Sequence, residues 1–161
     1  MRIKNSEKGA AVVEFALLSL LLLVFVFGII EFGFIWLQSH YIANAAREGA
    51  RVGSKLEDPT TGDDLQTVKD AITAYLKGAV VYSDSFVDSE SFDPPNVDIS
   101  VDPRTITGAG VTVDALEVGV TVQTARIWEP VLWGMLNLLP GVNLGEIRQI
   151  TETSLFPVIN D

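Results

Sequence analysis

Residues 10–30 read Ala-Ala-Val-Val-Glu-Phe-Ala-Leu-Leu-Ser-Leu-Leu-Leu-Leu-Val-Phe-Val-Phe-Gly-Ile-Ile, and the reading of this stretch decides the fold. Glu14 is its only charge, and from Phe15 onward Ser19 is its only polar side chain. At about 1.5 Å of rise per residue, 21 residues in a helix cover a hydrocarbon core roughly 30 Å thick. A buried core helix is rarely so long, so apolar and so near an N-terminus. The stretch therefore predicts a membrane span. Glu14 then poses a problem, because a carboxylate inside lipid costs about 2–3 kcal/mol or more. Something should use it.

The rest of the composition constrains what that can be. The chain has 161 residues, enough for one ordinary domain plus a terminal appendage. Residues 1–55 carry six Lys/Arg and four Asp/Glu, and residues 56–161 carry five and seventeen. The net charge of −10 thus belongs to the C-terminal part, which argues against a nucleic-acid partner. Arg2, Lys4 and Lys8 precede the span, and beyond it the first basic residues are Arg47 and Arg51. The positive-inside bias places the N-terminus in the cytoplasm and the acidic domain outside. There is no cysteine, so the exported domain must hold by packing alone.

Helical patterning continues past the span. Ile35, Tyr41 or Ile42, Ala46, Ala50 and Gly53 share a face at three- and four-residue steps, and the first proline is Pro59. One helix is predicted over about residues 11–54, on the order of 65 Å long. Phe34, Trp36 and Tyr41 suit the membrane interface. Residues 56–64 form a turn-rich linker with Asp63 or Asp64 as helix cap. Leu65, Val68, Ile72, Tyr75 and Leu76 then make an amphipathic helix ending at Gly78. Residues 82–95, rich in Ser and Asp, read as loop. Val97, Ile99 and Val101 alternate as a strand. Val111 and Val113 alternate too, but the phase changes at Leu116-Val118-Val120-Val122, predicting a bulge or two short strands. Residues 128–139 form an apolar patch holding Pro130, Trp133 and Gly134; its Trp128, Trp133 and Met135 read as core beneath the sheet, with an adhesive or partner patch as the alternative. Residues 145–158 contain a last strand. The expected fold class is α+β, a long N-terminal helix packed on a small, mostly antiparallel sheet.

The stretch Lys8-Gly9-Ala10-Ala11-Val12-Val13-Glu14-Phe15 resembles a type IV prepilin processing site. The resemblance implies cleavage by a membrane-embedded prepilin peptidase between Gly9 and Ala10, with residues 1–9 as leader. Glu14 is then the fifth residue after the cut. Gly9 weakens the helix where a protease needs it unwound, and Lys8 holds the leader in water. Cleavage leaves a charged α-amine on Ala10. By family precedent, Glu14 pairs with the freed amine of a neighbouring subunit, and such a pair costs least when both charges meet. The plainer reading of Glu14 is a carboxylate at headgroup level, snorkelling to water.

A second motif, Asn44-Ala45-Ala46-Arg47-Glu48-Gly49-Ala50-Arg51, follows Gly28-Ile29-Ile30-Glu31-Phe32-Gly33 and Tyr41. With Gly9, Glu14 and Phe15 it resembles the TadE-like family of tight-adherence (Flp) pilus minor pseudopilins. The chain departs from many relatives in lacking a proline near Ser19-Leu20, where they place one in the span. The resemblance covers about the first third of the chain. It implies a pilin-like fold, a non-enzymatic role in pilus assembly at the inner membrane, and no cofactor. It also implies other pilins or pseudopilins, the inner-membrane assembly platform and membrane lipid as partners. Ala43, Ala46, Ala50 and Gly53 present a small-residue stripe on which another backbone can approach closely. Arg47, Glu48 and Arg51 can set its register by charge pairing. The plainer reading is that alanine favours helices and these charges are solvated.

Enzymatic constellations are weak. His40 stands alone, without cysteine partners for zinc, and a Ser-His-Asp set would need it beside the membrane. Asp84, Asp88, Glu90 and Asp93 cluster without EF-hand spacing. Gly108-Ala109-Gly110 reads as a turn, not a phosphate loop. Three readings compete with the pseudopilin: an uncleaved single-pass anchor bearing an extracytoplasmic binding module, a protein secreted by signal-peptidase cleavage after Ala43-Asn44-Ala45, and an exported hydrolase. The apolar region is too long for a signal peptide, and no nucleophile-plus-base set supports the hydrolase.

Overall fold

The structure is a computed structural model that describes residues 4–88, 95–108, 110–127, 131–138, 140–141 and 149–158. One helix, α1 (Lys4–Gly53), takes in the apolar run and the small-residue motif without interruption. Then follow α2 (Gly62–Lys77), a single-turn α3 (Asp84–Val87), strands β1 (Val97–Gly108) and β2 (Val111–Val122), the short α4 (Val131–Leu136) and β3 (Ile150–Pro157). The chain divides into two compact units, Met1–Ile35 with Pro130–Gly145, and Trp36–Glu129 with Glu146–Asp161.

In the first unit, α1 carries an 18-residue window of mean hydropathy 2.8 with none of it buried. Val12, Val13, Phe15, Leu17, Phe25 and Ile29 all stand more than half exposed. A helix apolar on every side asks for lipid or protein around it. This helix is long and apolar enough to cross a membrane.

The second unit is an antiparallel sheet of order β1-β2-β3 with helices on one face. β2 is central, and its pairing with β1 runs unbroken from Val97↔Val122 to Gly108↔Val111. The expected bulge or strand break at Ala115 is therefore corrected. Leu116, Val118, Val120 and Val122 face the core, while Val111 and Val113 belong to the opposite, exposed face of the same strand. The phase change marks where the hairpin outruns the helices. Gly110, at φ 82°, supplies the left-handed turn residue. Pro103 and Pro157 sit in strands that have an open side, where a missing N–H is tolerated.

Ile42, Ala45, Ala46 and Ala50 of α1 are buried with Val68, Ile72 and Leu76 of α2 and Leu116, Val118, Val120 and Val122 of β2. Glycines let these layers close up. A Cβ on Gly49 would come within 2.6 Å of Ile72 Cγ1 and 3.3 Å of Val118 Cγ1, and one on Gly53 would collide with the Leu116 side chain. The Ser39 hydroxyl of α1 donates to Glu152 of β3, which fastens the outer strand of the sheet to the same helix.

Several local expectations change. The N-cap position of α2 is Thr61, whose side chain makes no capping hydrogen bond, and Asp63 and Asp64 lie in the first turn. The Asp64 carboxylate instead accepts the Asp58 N–H at 3.0 Å and closes the preceding turn. Part of the expected loop at 82–95 is α3, because the Ser83 hydroxyl accepts from the Phe86 N–H and nucleates one turn. The expectation that the apolar patch is core fails at Met135, which is exposed. Of its described side chains, Val131, Met135 and Leu138 are exposed, and α4 falls in the first unit. The side chains of Trp128 and Trp133 lie outside what the structure describes, as do Glu90 and Asp93.

Candidate functional site

The candidate site is the N-terminal part of α1, and its residues differ from an ordinary active site in being spread along one exposed helix. Gly9 and Ala10 are exposed and already helical, and a Cβ on Gly9 would meet nothing within 4 Å. No packing in this chain requires glycine there. Glu14 is exposed among Val12, Val13 and Phe15, and it has neither a hydrogen bond nor an ion pair among the described residues. A charged group surrounded by exposed apolar side chains has no use for them in water.

A different carboxylate on the same helix is satisfied internally. Glu31 is 3 % exposed, and one oxygen accepts the backbone N–H of Leu132 in the first turn of α4. The Leu132 side chain comes 3.6 Å from where a Cβ on Gly28 would stand. The other Glu31 oxygen is buried without a partner among the described residues. The sequence reading took Gly28 and Glu31 only as part of a motif. Their partner is 101 residues away, and no local signal pointed to it.

The small-residue stripe falls in the second unit, and its surroundings are this chain's own. Ala46, Ala50 and Gly53 are buried against α2 and β2, and Ala43 is half-buried. Ala45 and Gly49 complete that buried face, which the three- and four-residue steps had only partly identified. The charges that flank it point outward. Arg47 donates to Asn44 Oδ1 at 3.1 Å, and Arg51 Nε donates to Glu48 Oε2 at 2.8 Å. The hydrogen bond from Arg51 holds the Glu48 carboxyl below its usual range, and Glu48 raises the guanidinium in turn. This is an exposed pair within one helical turn, screened by salt.

Other candidates lie elsewhere. His40 is exposed, its ring tilted against Trp36 with centroids 5.2 Å apart. Asp84 opens α3, and Asp88 pairs with Lys77 at 2.7 Å, which raises the lysine. Among the described residues no cluster of acidic or histidine side chains could hold a metal ion. An open pocket of about 380 Å³ is lined by Val80, Val81, Tyr82, Ser83, Phe86, Arg126 and Ile127. Arg126 there already donates to Asn96 Oδ1 at 2.7 Å.

No curated protein and no solved structure matches the chain. The family match falls on α1 alone and points to a protein associated with the Tad/Flp pilus, a structural rather than enzymatic family. Residues 9–51, from Gly9 through Glu14 and Glu31 to Arg51, match the family model described as TadE-like protein.

Proposed function

We propose that the protein is a minor pseudopilin that takes part in assembling a Tad/Flp-type pilus. In this reading residues 1–9 are a cytoplasmic leader and residues 10–54 a helix that is transmembrane in its first half. Residues 55–161 form an acidic domain on the far side of the inner membrane. A prepilin peptidase cuts between Gly9 and Ala10. Both residues are exposed, and the bond must leave the helix to be cut; glycine lowers that cost by about 1 kcal/mol relative to alanine. Glu14 then pairs with the new amine of a neighbouring pilin or pseudopilin, one helix beside another in the assembly platform.

The observation that carries this reading is Glu14 itself, exposed and unpaired among the described residues on a bare apolar helix within the TadE-like match. The test is the intact mass and N-terminal sequence of the protein extracted from its own cell membranes. A start at Ala10 supports processing and the pseudopilin. A start at Met1 favours an uncleaved anchor bearing an extracytoplasmic binding module. A start at Ala46 makes it a secreted domain.

A further inference from the structure

We infer that α4 and Leu138 just after it form a second lipid contact, lying in the outer boundary of the bilayer against the end of the α1 span. This inference rests on the reading of α1 as a membrane helix. Its observations all fall within one compact unit. Counted from Ala10 at about 1.5 Å per residue, Glu31 comes about 31 Å along the helix, where the hydrocarbon ends. The Glu31 carboxylate holds the Leu132 N–H, and Leu132 packs over Gly28, so α4 is fixed at the depth of residues 28–31.

What α4 presents there is apolar. Residues 131–140 contain no charged side chain. Val131 and Met135 are 49 % and 39 % exposed, and Leu138 is 83 % exposed. On α1, Phe25, Ile29 and Phe32 are exposed too, so the apolar surface of the span extends to the turn of α1 that carries α4 through Gly28 and Glu31. Lipid covers the span, and the same lipid covers its continuation. An apolar segment lying in the boundary is how interfacial elements bind a bilayer. Glu31 fits the same place: a carboxylate at this depth needs shielding, and the start of α4 both buries it and supplies a donor.

The natural chain has no cysteine, so single-cysteine variants of the full-length protein can be labelled with an environment-sensitive fluorophore. Leu138→Cys reports α4, Leu17→Cys the middle of the span, and Val80→Cys, 97 % exposed in the other unit, reports water. Each is placed in vesicles of phosphatidylethanolamine and phosphatidylglycerol carrying quenchers near the headgroup or deep in the acyl chain. The expected result is quenching at Leu138 by the shallow probe, with about a twofold loss of fluorescence. Leu17 should respond to the deep probe and Val80 to neither. Quenching at Leu17 with a water-like signal at Leu138 overturns the inference and leaves the span intact. No quenching at either overturns the span and the inference together. A label at Leu138 shielded from aqueous iodide but untouched by lipid quenchers means that a second protein covers α4, which also overturns it.

Discussion

The Ile72 side chain of α2 occupies the space that a Cβ on Gly49 of α1 would need, with Cδ1 2.5 Å from that point. Ile72 is fully buried, and Val118 Cγ1 stands 3.3 Å from the same point. Gly49→Ala should gain about 1 kcal/mol of helix propensity and lose roughly 1–3 kcal/mol to overpacking. The expected net is a destabilised second unit, its midpoint lowered by a few degrees, roughly 4–8 °C per kcal/mol. Gly33→Ala, with nothing within 4 Å, should not lower it. Circular dichroism melts of the full chain in mild detergent check both, and an unchanged midpoint for Gly49→Ala would mean that the layers are not packed this closely.

That contact also shows what local sequence can and cannot disclose. The existence and register of α1 were readable because a charge-free run and a small-residue face both obey helical spacing. The Val97-Ile99-Val101 and Leu116-Val122 alternations gave the sheet, since period two has no other use. Gly49 escaped notice because a glycine in an Ala/Gly-rich helix looks like its neighbours until Ile72 is placed on it. Ser83, which caps α3, does not stand out among many Asp and Ser of similar capacity. Val111 and Val113 suggested a break because strand residues beyond the core reverse the expected phase. The Glu31–Leu132 hydrogen bond joins residues 101 apart, and no window along the chain contains both. Glu14 was legible for the opposite reason: a lone charge in an apolar run shows without any partner in view.

Tyr82 should make the second unit sensitive to alkali. Its hydroxyl is buried without a partner among the described residues, and burial raises its pKa well above the usual value. In the unfolded chain the phenol ionises near pH ~10. The folded form keeps its proton, so its contribution to stability is intact below that pH and falls as pH rises, by about 1.4 kcal/mol per unit. Tyr82→Phe keeps the ring stacked on Phe86, at 6.0 Å between centroids. It should be neutral or stabilising by up to about 1 kcal/mol, because an unsatisfied hydroxyl is removed, and this alkaline loss should disappear. Urea titrations at pH values spanning that ionisation decide it, and equal slopes for the two proteins would exclude Tyr82 as the source.

Glu31 should control the opening of α4. Glu31→Ala leaves the part-buried Leu132 N–H without its acceptor, a loss of about 1–3 kcal/mol. Amide hydrogen exchange at Leu132 should then accelerate roughly ten- to hundredfold, as expected for a local opening made easier by that amount. Glu31→Gln keeps a side-chain carbonyl at the same reach and should stay close to the natural rate. The comparison separates hydrogen bonding from charge. If Gln exchanges as fast as Ala, the negative charge rather than the acceptor holds α4, and if neither accelerates, Leu132 is held by packing alone.

Glu14 gives the last prediction, and it follows from cost. On an isolated helix in lipid the carboxylate opposes insertion by about 2–3 kcal/mol, so Glu14→Ala should insert at least as well as the natural chain. It should also be cut normally, since Gly9 and Ala10 are untouched. What it should lose is the neighbour. Once the carboxylate is gone, a subunit docked beside another gains no charge pair, while the adjacent amine is left alone at the membrane edge, which is the costly state for a partly buried ion. The variant is therefore expected in the membrane, processed, and missing from complexes with other pilus subunits when these are cross-linked and co-purified from cells. Accumulation of uncut precursor would instead assign Glu14 to peptidase recognition. Normal co-purification would show that Glu14 merely reaches the headgroups, and that assembly depends on the apolar surface around Phe15 rather than on charge.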